Sequence, residues 1–323
     1  TCWNHPEQWH TVPGLCYLTP YKEYKDNGIA RVLNFAGLVP PEQSRFFNWS
    51  KPFVQLETTR GCFNTCAFCV SGGEKPVRTL SIESIRRRLQ LIHAHGIKNV
   101  RVLDRTFNYN PRRAKELLRL FLEFHPDIRF HLEIHPALLS EELKEELSLL
   151  PKGLLHLEAG IQSLREPVLE KSRRMGKLSD ALDGLRFLCA LPNMETHADL
   201  IAGLPLYHLH EIFEDVRTLA EYAAGEIQLE SLKLLPGTEM RRRAEESGIK
   251  YSPLPPYEVL QTHEINVSEL QTARQLSRLL DGFYNTPAWQ ALTRELILND
   301  EQFLHRFLTY LTKANLIDQP MSL

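Results

Sequence analysis

Six times between residues 53 and 247, a short apolar run is followed by an amphipathic segment, and this alternation constrains the fold more than any other feature. Phe53 to Thr58, Val100 to Leu103, Ile128 to Glu133, Leu154 to Glu158, Thr196 to Ile201 and Ile227 to Leu234 read as strands. Ser81 caps a helix to about His95, in which Ile82, Ile85, Leu89 and Ile92 recur at spacings of three and four. Further helical patterns cover Pro111 to Phe124, Leu139 to Leu149, 164–172, 178–190, His208 to Ala223, and a stretch from Gly237-Thr238 to about Ser247. Strand–helix units in series make right-handed crossovers, so the expected class is α/β with a parallel sheet.

The flanks differ. Residues 1–50 carry the turn signals Pro13-Gly14, Pro20, Asn27-Gly28 and Pro40-Pro41 and no sustained period, so an irregular linker or arm is expected there. Pro253, Pro255 and Pro256 punctuate a second join, after which 256–281, 286–297 and 299–315 read as helices without a strand signal. The expected domains are thus 1–50 (arm), 51–249 (α/β) and 250–323 (helical). A net charge of -2 disfavours a general polyanion binder, and nucleic acid has no clear signal. No apolar run approaches 18 residues, and no secretory signal is visible. Outside one cluster only Cys2, Cys16 and Cys189 occur, which suits a reducing cytoplasm. The first residue is Thr1, and a fragment lacking an N-terminal domain is expected.

That cluster is Cys62, Cys66 and Cys69, a C-x3-C-x2-C spacing in the loop after the first strand. Three close thiolates suit an iron–sulfur cluster with one iron left open. Zinc sites usually draw on two separated pairs, and no second pair exists here. A zinc site completed by a distant histidine and three buried structural cysteines stay as alternatives.

The triple closely resembles the cluster motif of radical S-adenosylmethionine (radical SAM) enzymes. The resemblance implies a [4Fe–4S] cluster on Cys62, Cys66 and Cys69, with S-adenosylmethionine on the open iron. It further implies reductive cleavage to a 5′-deoxyadenosyl radical, and an electron donor such as flavodoxin or ferredoxin. The implied fold is a partial (β/α)6 TIM-like barrel with an irregular N-terminal arm and a C-terminal helical extension. Active sites of such barrels lie at the C-terminal ends of the strands.

Glu158-x-Gly160-x-Gln162-Ser163, then Arg174, then Asp199 resemble the Glu-x-Gly-x-Gln-Ser…Arg…Asp pattern of the branch with oxygen-independent coproporphyrinogen oxidase and the methylthiotransferases. That resemblance implies that Gln162, Arg174 and Asp199 contact S-adenosylmethionine, with Arg173 as the competitor of Arg174. Glu158 and Glu133 are read as strand ends, and Glu133 is placed to accept from ribose hydroxyls. Asp104 ends the second strand, where the family often has Gly-Gly-Glu, so Asp104 or its backbone is expected at the methionine amino group. Gly72-Gly73-Glu74 follows the cysteines too closely to play that part. Asp199 to Pro205 and Leu234 to Thr238 are similar to the elements that bracket adenine.

Arg60 is read either as a charge near the cluster or as a surface salt bridge, and Phe63 and Phe68 as its shield from water. His131, His135 and His156 suggest a histidine metal site, but packing or hydrogen-bonding roles are the commoner use of such residues. Val12 to Tyr17, Pro255 to Val259 and Tyr284-Asn285 resemble elements of the cobalamin-binding radical SAM subgroup with a C-terminal domain of unassigned role. That implies cobalamin held by an N-terminal domain, and methyl transfer at carbon. The Asp-x-His-x-x-Gly cobalamin signature is absent from these 323 residues. Tyr257 or Tyr284 either reaches substrate or packs between elements. A cobalamin-independent enzyme acting on RNA or a cofactor precursor is the second reading, and a non-catalytic iron–sulfur or zinc protein the third. A methylthiotransferase would need three more cluster cysteines upstream, where only Cys2 and Cys16 stand.

Replacing Cys62, Cys66 and Cys69 together with alanine is expected to abolish iron and sulfide loading. Elemental analysis after anaerobic reconstitution checks this, and stoichiometric zinc in the unmutated protein would contradict it.

Overall fold

The computed structural model describes residues 2–30, 34, 37–317 and 319. It divides into two compact units, Thr1–Val39 and Pro40–Leu323. The first unit has short 3-10 turns at Cys2–Asn4 and Pro6–Thr11 and an antiparallel pair, Cys16–Leu18 with Tyr24–Asp26. Trp9 packs near Trp3 and edge-on to Tyr17 at 5.5 Å. The featureless arm of the sequence reading therefore contains a hairpin, too short to show a strand period.

The second unit is built on six parallel strands: β1 Val54–Leu56, β2 Asn99–Val102, β3 Arg129–Ile134, β4 Leu155–Gln162, β5 Glu195–Ala202 and β6 Glu226–Ser231. Their spatial order is their chain order. Helices α1 Ile82–Ala94, α2 Pro111–Leu122, α3 Glu141–Leu149, α4 Glu166–Lys171, α5 Leu178–Ala190, α6 Leu209–Glu221 and α7 Glu239–Arg242 fill the connections. Sequential order with strand–helix crossovers is the wall of a partial TIM-like barrel.

Period-two alternation decides which residues reach the interior. On β4 the apolar residues Leu155, Leu157, Ala159 and Ile161 are buried, while His156, Glu158, Gly160 and Gln162 occupy the other face. The β3 strand repeats this, with Phe130, Leu132 and Ile134 against Arg129, His131 and Glu133. Phe130 stacks on Phe121 of α2 at 4.0 Å between ring centroids. Register sets Glu133 beside Glu158, and Glu158 beside His197. The carboxylate read as ending the fourth strand is thus central to it, because β4 runs on to Gln162.

The tail corrects the helix expected from residue 256. Lys250–Tyr251 and Val259–Gln261 form an antiparallel pair, and α8 begins only at Val267 and ends at Leu279. Proline at 253, 255 and 256 removes amide donors and disfavours helix in the preceding residues. Asn266 supplies the true cap, its side chain accepting from Glu269 N at 3.1 Å. A π-turn at Leu280–Tyr284, then α9 Pro287–Asn299 and α10 Phe303–Lys313, complete the chain. Tyr284 is fully buried and donates to Ala224 O at 2.8 Å, and Tyr257 lies beneath the Arg241 guanidinium. Both tyrosines therefore pack. Asn285 accepts from Ile227 N at 2.9 Å and donates to Ile227 O at 3.0 Å, which pairs backbone groups on the sheet's edge strand.

One buried carboxylate fixes the turn that follows β4. Asp215 of α6 accepts from Leu164 N, Tyr207 Oη and Arg165 Nε at 2.8, 2.5 and 2.9 Å. Removing one partner of such a network leaves the others buried without one, at about 3–5 kcal/mol. Asp215→Ala is expected to lose stability of that order in urea titrations. A loss below 1 kcal/mol would show that the network is not what holds the turn.

Candidate active site

The cysteine loop is closed by its own backbone and by two distant segments. Cys62 N donates to Glu74 O at 3.0 Å, and Gly73 N to Asn64 O at 2.8 Å. Ala67 N donates to Ser172 O, and Met240 N to Ala67 O, both at 2.8 Å. Buried Asn64 accepts from Met175 N at 3.1 Å, which ties the loop to the turn after α4. Gly72 has no room for a side chain, since a Cβ would lie 2.5 Å from Cys66 O. Gly72-Gly73-Glu74 thus closes the loop.

Asp104 stands behind this loop. Its carboxylate is 1% exposed and accepts from the backbone N–H of Thr58 and of Thr59, both at 2.8 Å, and from the Thr58 hydroxyl. Burial pushes its pKa up, against the pull of these hydrogen bonds. The expectation that the Asp104 side chain faces a ligand is corrected, since its oxygens are turned to the chain that leads into the cysteines; the backbone alternative at this position is untouched by that.

The other expected residues converge. One pocket is lined by Cys62, Cys66 and Cys69, by Glu133 of β3, by Glu158 and Gln162 of β4, by Asp199 of β5 and by Arg174. Arg174 donates to Gly160 O, and its Nη1 lies 3.9 Å from Cys66 Sγ. Its rival Arg173 is exposed and paired with Glu239. Gln162 has φ +74°, a backbone strain at the point where the β4–β5 register shifts. The Gln162 amide occupies the space that a Cβ at Gly160 would need. Arg60 pairs with Glu57 at 2.6 Å, the salt bridge of its second reading. Phe68 lines the pocket, and Phe63 lies 6.3 Å from the His135 ring.

Electrostatics divide the carboxylates. Burial, then the neighbouring Glu158 charge, raises Glu133 to about 7. The same two causes push Asp199 up to about 9. Burial also opposes the Glu158 charge, but the hydrogen bond from His131 and the nearby His197 imidazole outweigh it and hold that carboxyl below its usual range. Burial raises the Cys62 and Cys66 thiols, and Arg174 draws both down. Thiolate is the form in which cysteines ligate a metal.

The donor set fits a cluster better than one zinc ion. Four-coordinate zinc holds its sulfurs at about 2.3 Å, and hence about 3.8 Å apart. Among the described residues, the sets of three or more potential ligand atoms within 4.8 Å of one another are His131–Glu158–His197 and His156–His197–Glu226, with no cysteine in either. Three thiols around a common pocket, more widely set than a mononuclear site allows, suit a larger group.

Sequence reading missed Asn64, Thr106 and His197, although the spacing His197-x-Asp199 puts both side chains on one face of β5. His135 lies at the pocket and not with His131 and His156; its Nε2 meets Met175 O at 3.0 Å. Burial, then the Arg174 charge, lowers His135 to about 3. A base with a depressed folded pKa contributes stability above its unfolded pKa, and loses it as pH falls toward the folded one. From pH 7 to 5 that loss is about 2 kcal/mol. His135→Gln is expected to flatten stability between those pH values by about that amount, measured by denaturant titration at each.

Residues 56–219, just over half of the chain, match the radical SAM superfamily, and residues 245–323 match a protein of unknown function (DUF4080). The ribosomal protein uS12 methylthiotransferase RimO of Moorella thermoacetica is 28% identical over 54% of this chain and 43% of its own. The tRNA-2-methylthio-N(6)-dimethylallyladenosine synthase of Herpetosiphon aurantiacus is 25% identical over 59% of this chain and 46% of its own. The chain thus spans less than half the length of these relatives. The cobalamin-dependent S-adenosylmethionine radical enzyme OxsB, with aqua-cobalamin and S-adenosylmethionine bound, superposes with TM-score 0.65 over 95% of this chain and 56% of its own, at 15% identity. The radical S-adenosylmethionine methyltransferase TsrM of Kitasatospora setae gives 0.53 over 68% of this chain and 44% of its own, at 20% identity. A parallel six-stranded partial barrel, a cysteine triple at its pocket and a match over residues 56–219 lead to one statement: this chain belongs to the radical SAM superfamily.

Proposed function

We propose that the protein is an enzyme that holds a [4Fe–4S] cluster on Cys62, Cys66 and Cys69 and binds S-adenosylmethionine beside it to activate an unreactive C–H bond. The observation that carries the reading is the meeting of three thiols, Arg174, Gln162 and three carboxylates in one pocket. A mere structural metal site has no use for the last five. When bound, the cluster supplies the electron that cleaves the sulfonium to methionine and a 5′-deoxyadenosyl radical.

The residues divide the work by charge. Arg174 is a cation at the thiols and suits the methionine carboxylate. Gln162 offers an amide donor and acceptor at the strained end of β4. Glu133 is the carboxylate for ribose hydroxyls, Asp199 contributes a second carboxyl beside the ligand, and Glu158 sets a negative floor for a cationic one. Asp104 acts at one remove, as the group that orients the loop. Phe68 and Ile134 line the same pocket and limit the water in it. Cobalamin-dependent methylation is the narrower form of the proposal and rests on the resemblance of 12–17, the barrel and the tail.

Anaerobically reconstituted and reduced protein is expected to release 5′-deoxyadenosine from S-adenosylmethionine, and the cysteine triple variant to release none. Arg174→Ala and Gln162→Ala are each expected to weaken S-adenosylmethionine binding about tenfold or more, the size of one charge-assisted or buried hydrogen bond. Tight binding unchanged in both would sink the assignment of these residues. Cobalamin titration followed by its visible spectrum separates the narrower form from the cobalamin-independent reading.

A further inference from the structure

One imidazole nitrogen at the cysteine pocket has no partner. His135 follows β3 directly, lines that pocket and is 5% exposed. Its buried Nδ1 makes no hydrogen bond among the described residues. A buried polar atom left so is destabilising and asks for an occupant. Resting on the pocket reading above, we propose that His135 Nδ1 accepts a hydrogen bond from the α-amino group of bound S-adenosylmethionine.

The ring is held ready for that contact. Asn108, itself 1% exposed, clamps the backbone: His135 N donates to Asn108 Oδ1 and Asn108 Nδ2 to His135 O, both at 2.9 Å. At the far side of the ring, Nε2 stands 3.0 Å from Met175 O. A carbonyl oxygen only accepts, so the proton sits on Nε2 and Nδ1 carries the bare lone pair. Met175 is fixed in turn by Asn64 of the cysteine loop, whose Oδ1 accepts from Met175 N at 3.1 Å. Gly176 closes the wall. With φ +105°, it would place a Cβ 3.2 Å from His135 Cε1, so only glycine leaves the ring its place.

The chemistry of this acceptor suits an amine. Burial, then the Arg174 charge, keeps the imidazole uncharged, and only an uncharged imidazole can accept. Arg174 lines the same pocket and immediately precedes Met175. Its guanidinium is engaged by Gly160 O and stands near Cys66 Sγ, so it does not serve Nδ1. An amino acid bears its carboxylate and its amine on one carbon. A cation for the first beside a neutral acceptor for the second matches that pair of groups. The Asp104 carboxylate gives its oxygens to Thr58 and Thr59 and leaves the amine to another side chain. An amine has more than one N–H, so the backbone at Asp104 can take a second.

The test reads binding by equilibrium dialysis to cluster-loaded, unreduced protein, so turnover does not enter. Two ligands are compared: S-adenosylmethionine and its analogue with hydrogen in place of the amino group. His135→Gln keeps an amide donor for Met175 O but has no acceptor at the Nδ1 position. His135→Asn does the reverse, its amide oxygen standing near that position. In each protein the readout is the ratio of the two affinities, from which a general weakening of the site cancels. His135→Gln is expected to lower the preference for S-adenosylmethionine over the analogue about tenfold, the size of one hydrogen bond. His135→Asn is expected to keep that preference within about threefold of the unmutated protein. Iron content and visible cluster absorbance are expected to stay unchanged in both. An unchanged ratio in His135→Gln, whether through equal loss for both ligands or through none, would overturn the proposal. Such a result leaves the pocket reading standing, whereas unmutated protein that binds neither ligand sinks both.

Discussion

The pocket depends on one half-buried charge. Glu158 lies mid-strand, where burial raises its pKa, and the hydrogen bond from His131 with the nearby His197 imidazole more than offsets that. Burial first, and its charge second, raise the neighbouring Glu133 and Asp199. Parallel register fixes the arrangement, since β3, β4 and β5 place Glu133, Glu158 and His197 side by side. Sliding any one strand by a residue would turn these groups into the helical layer and bring leucines into the pocket.

A second constraint holds the thiols above that floor. The cysteine loop has little regular structure, so its shape is borrowed from elsewhere. Asp104 grips the chain at Thr58 and Thr59, Asn64 reaches Met175, and Ser172 and Met240 pair with the backbone of Ala67. Arg174 comes from the same turn that Asn64 anchors, so the cation and the thiols are positioned by one set of bonds. Further out, Asp215 fixes the turn after Gln162, and Asn285 covers the edge of the sheet. The tail thereby belongs to the barrel's stability, and neither of its noted tyrosines reaches the pocket.

Much of this was legible in the chain. The six strands and their helices follow from period-two and period-3.6 patterns, and ends were displaced by only a few residues. The gathering of Glu133, Gln162, Arg174 and Asp199 with the cysteines follows from strand ends sharing one rim. The errors share a cause. Strand β4 was read as stopping at Glu158, because Gly160 and the strained Gln162 have poor strand character. Residues 256–266 were read as helix, although prolines and a short strand pair occupy that region. Local propensity misleads where tertiary pairing overrides it.

The amino-acid sequence by itself determined the class of fold, the order of strands and helices, and the chemical identity of the thiols, carboxylates and cations. These are encoded locally, in periodicity and in donor type. The tertiary structure decided partners. Arg174 meets Cys66 across 108 residues, Asp104 meets Thr58 across 46, and His197 comes to Glu158 from a neighbouring strand. It also chose Arg174 over Arg173, and removed His135 from the histidine group to seat it at the pocket. The physical reason is that a side chain's partner and its protonation are set by register, burial and surrounding charge, which arise from many distant segments packed at once.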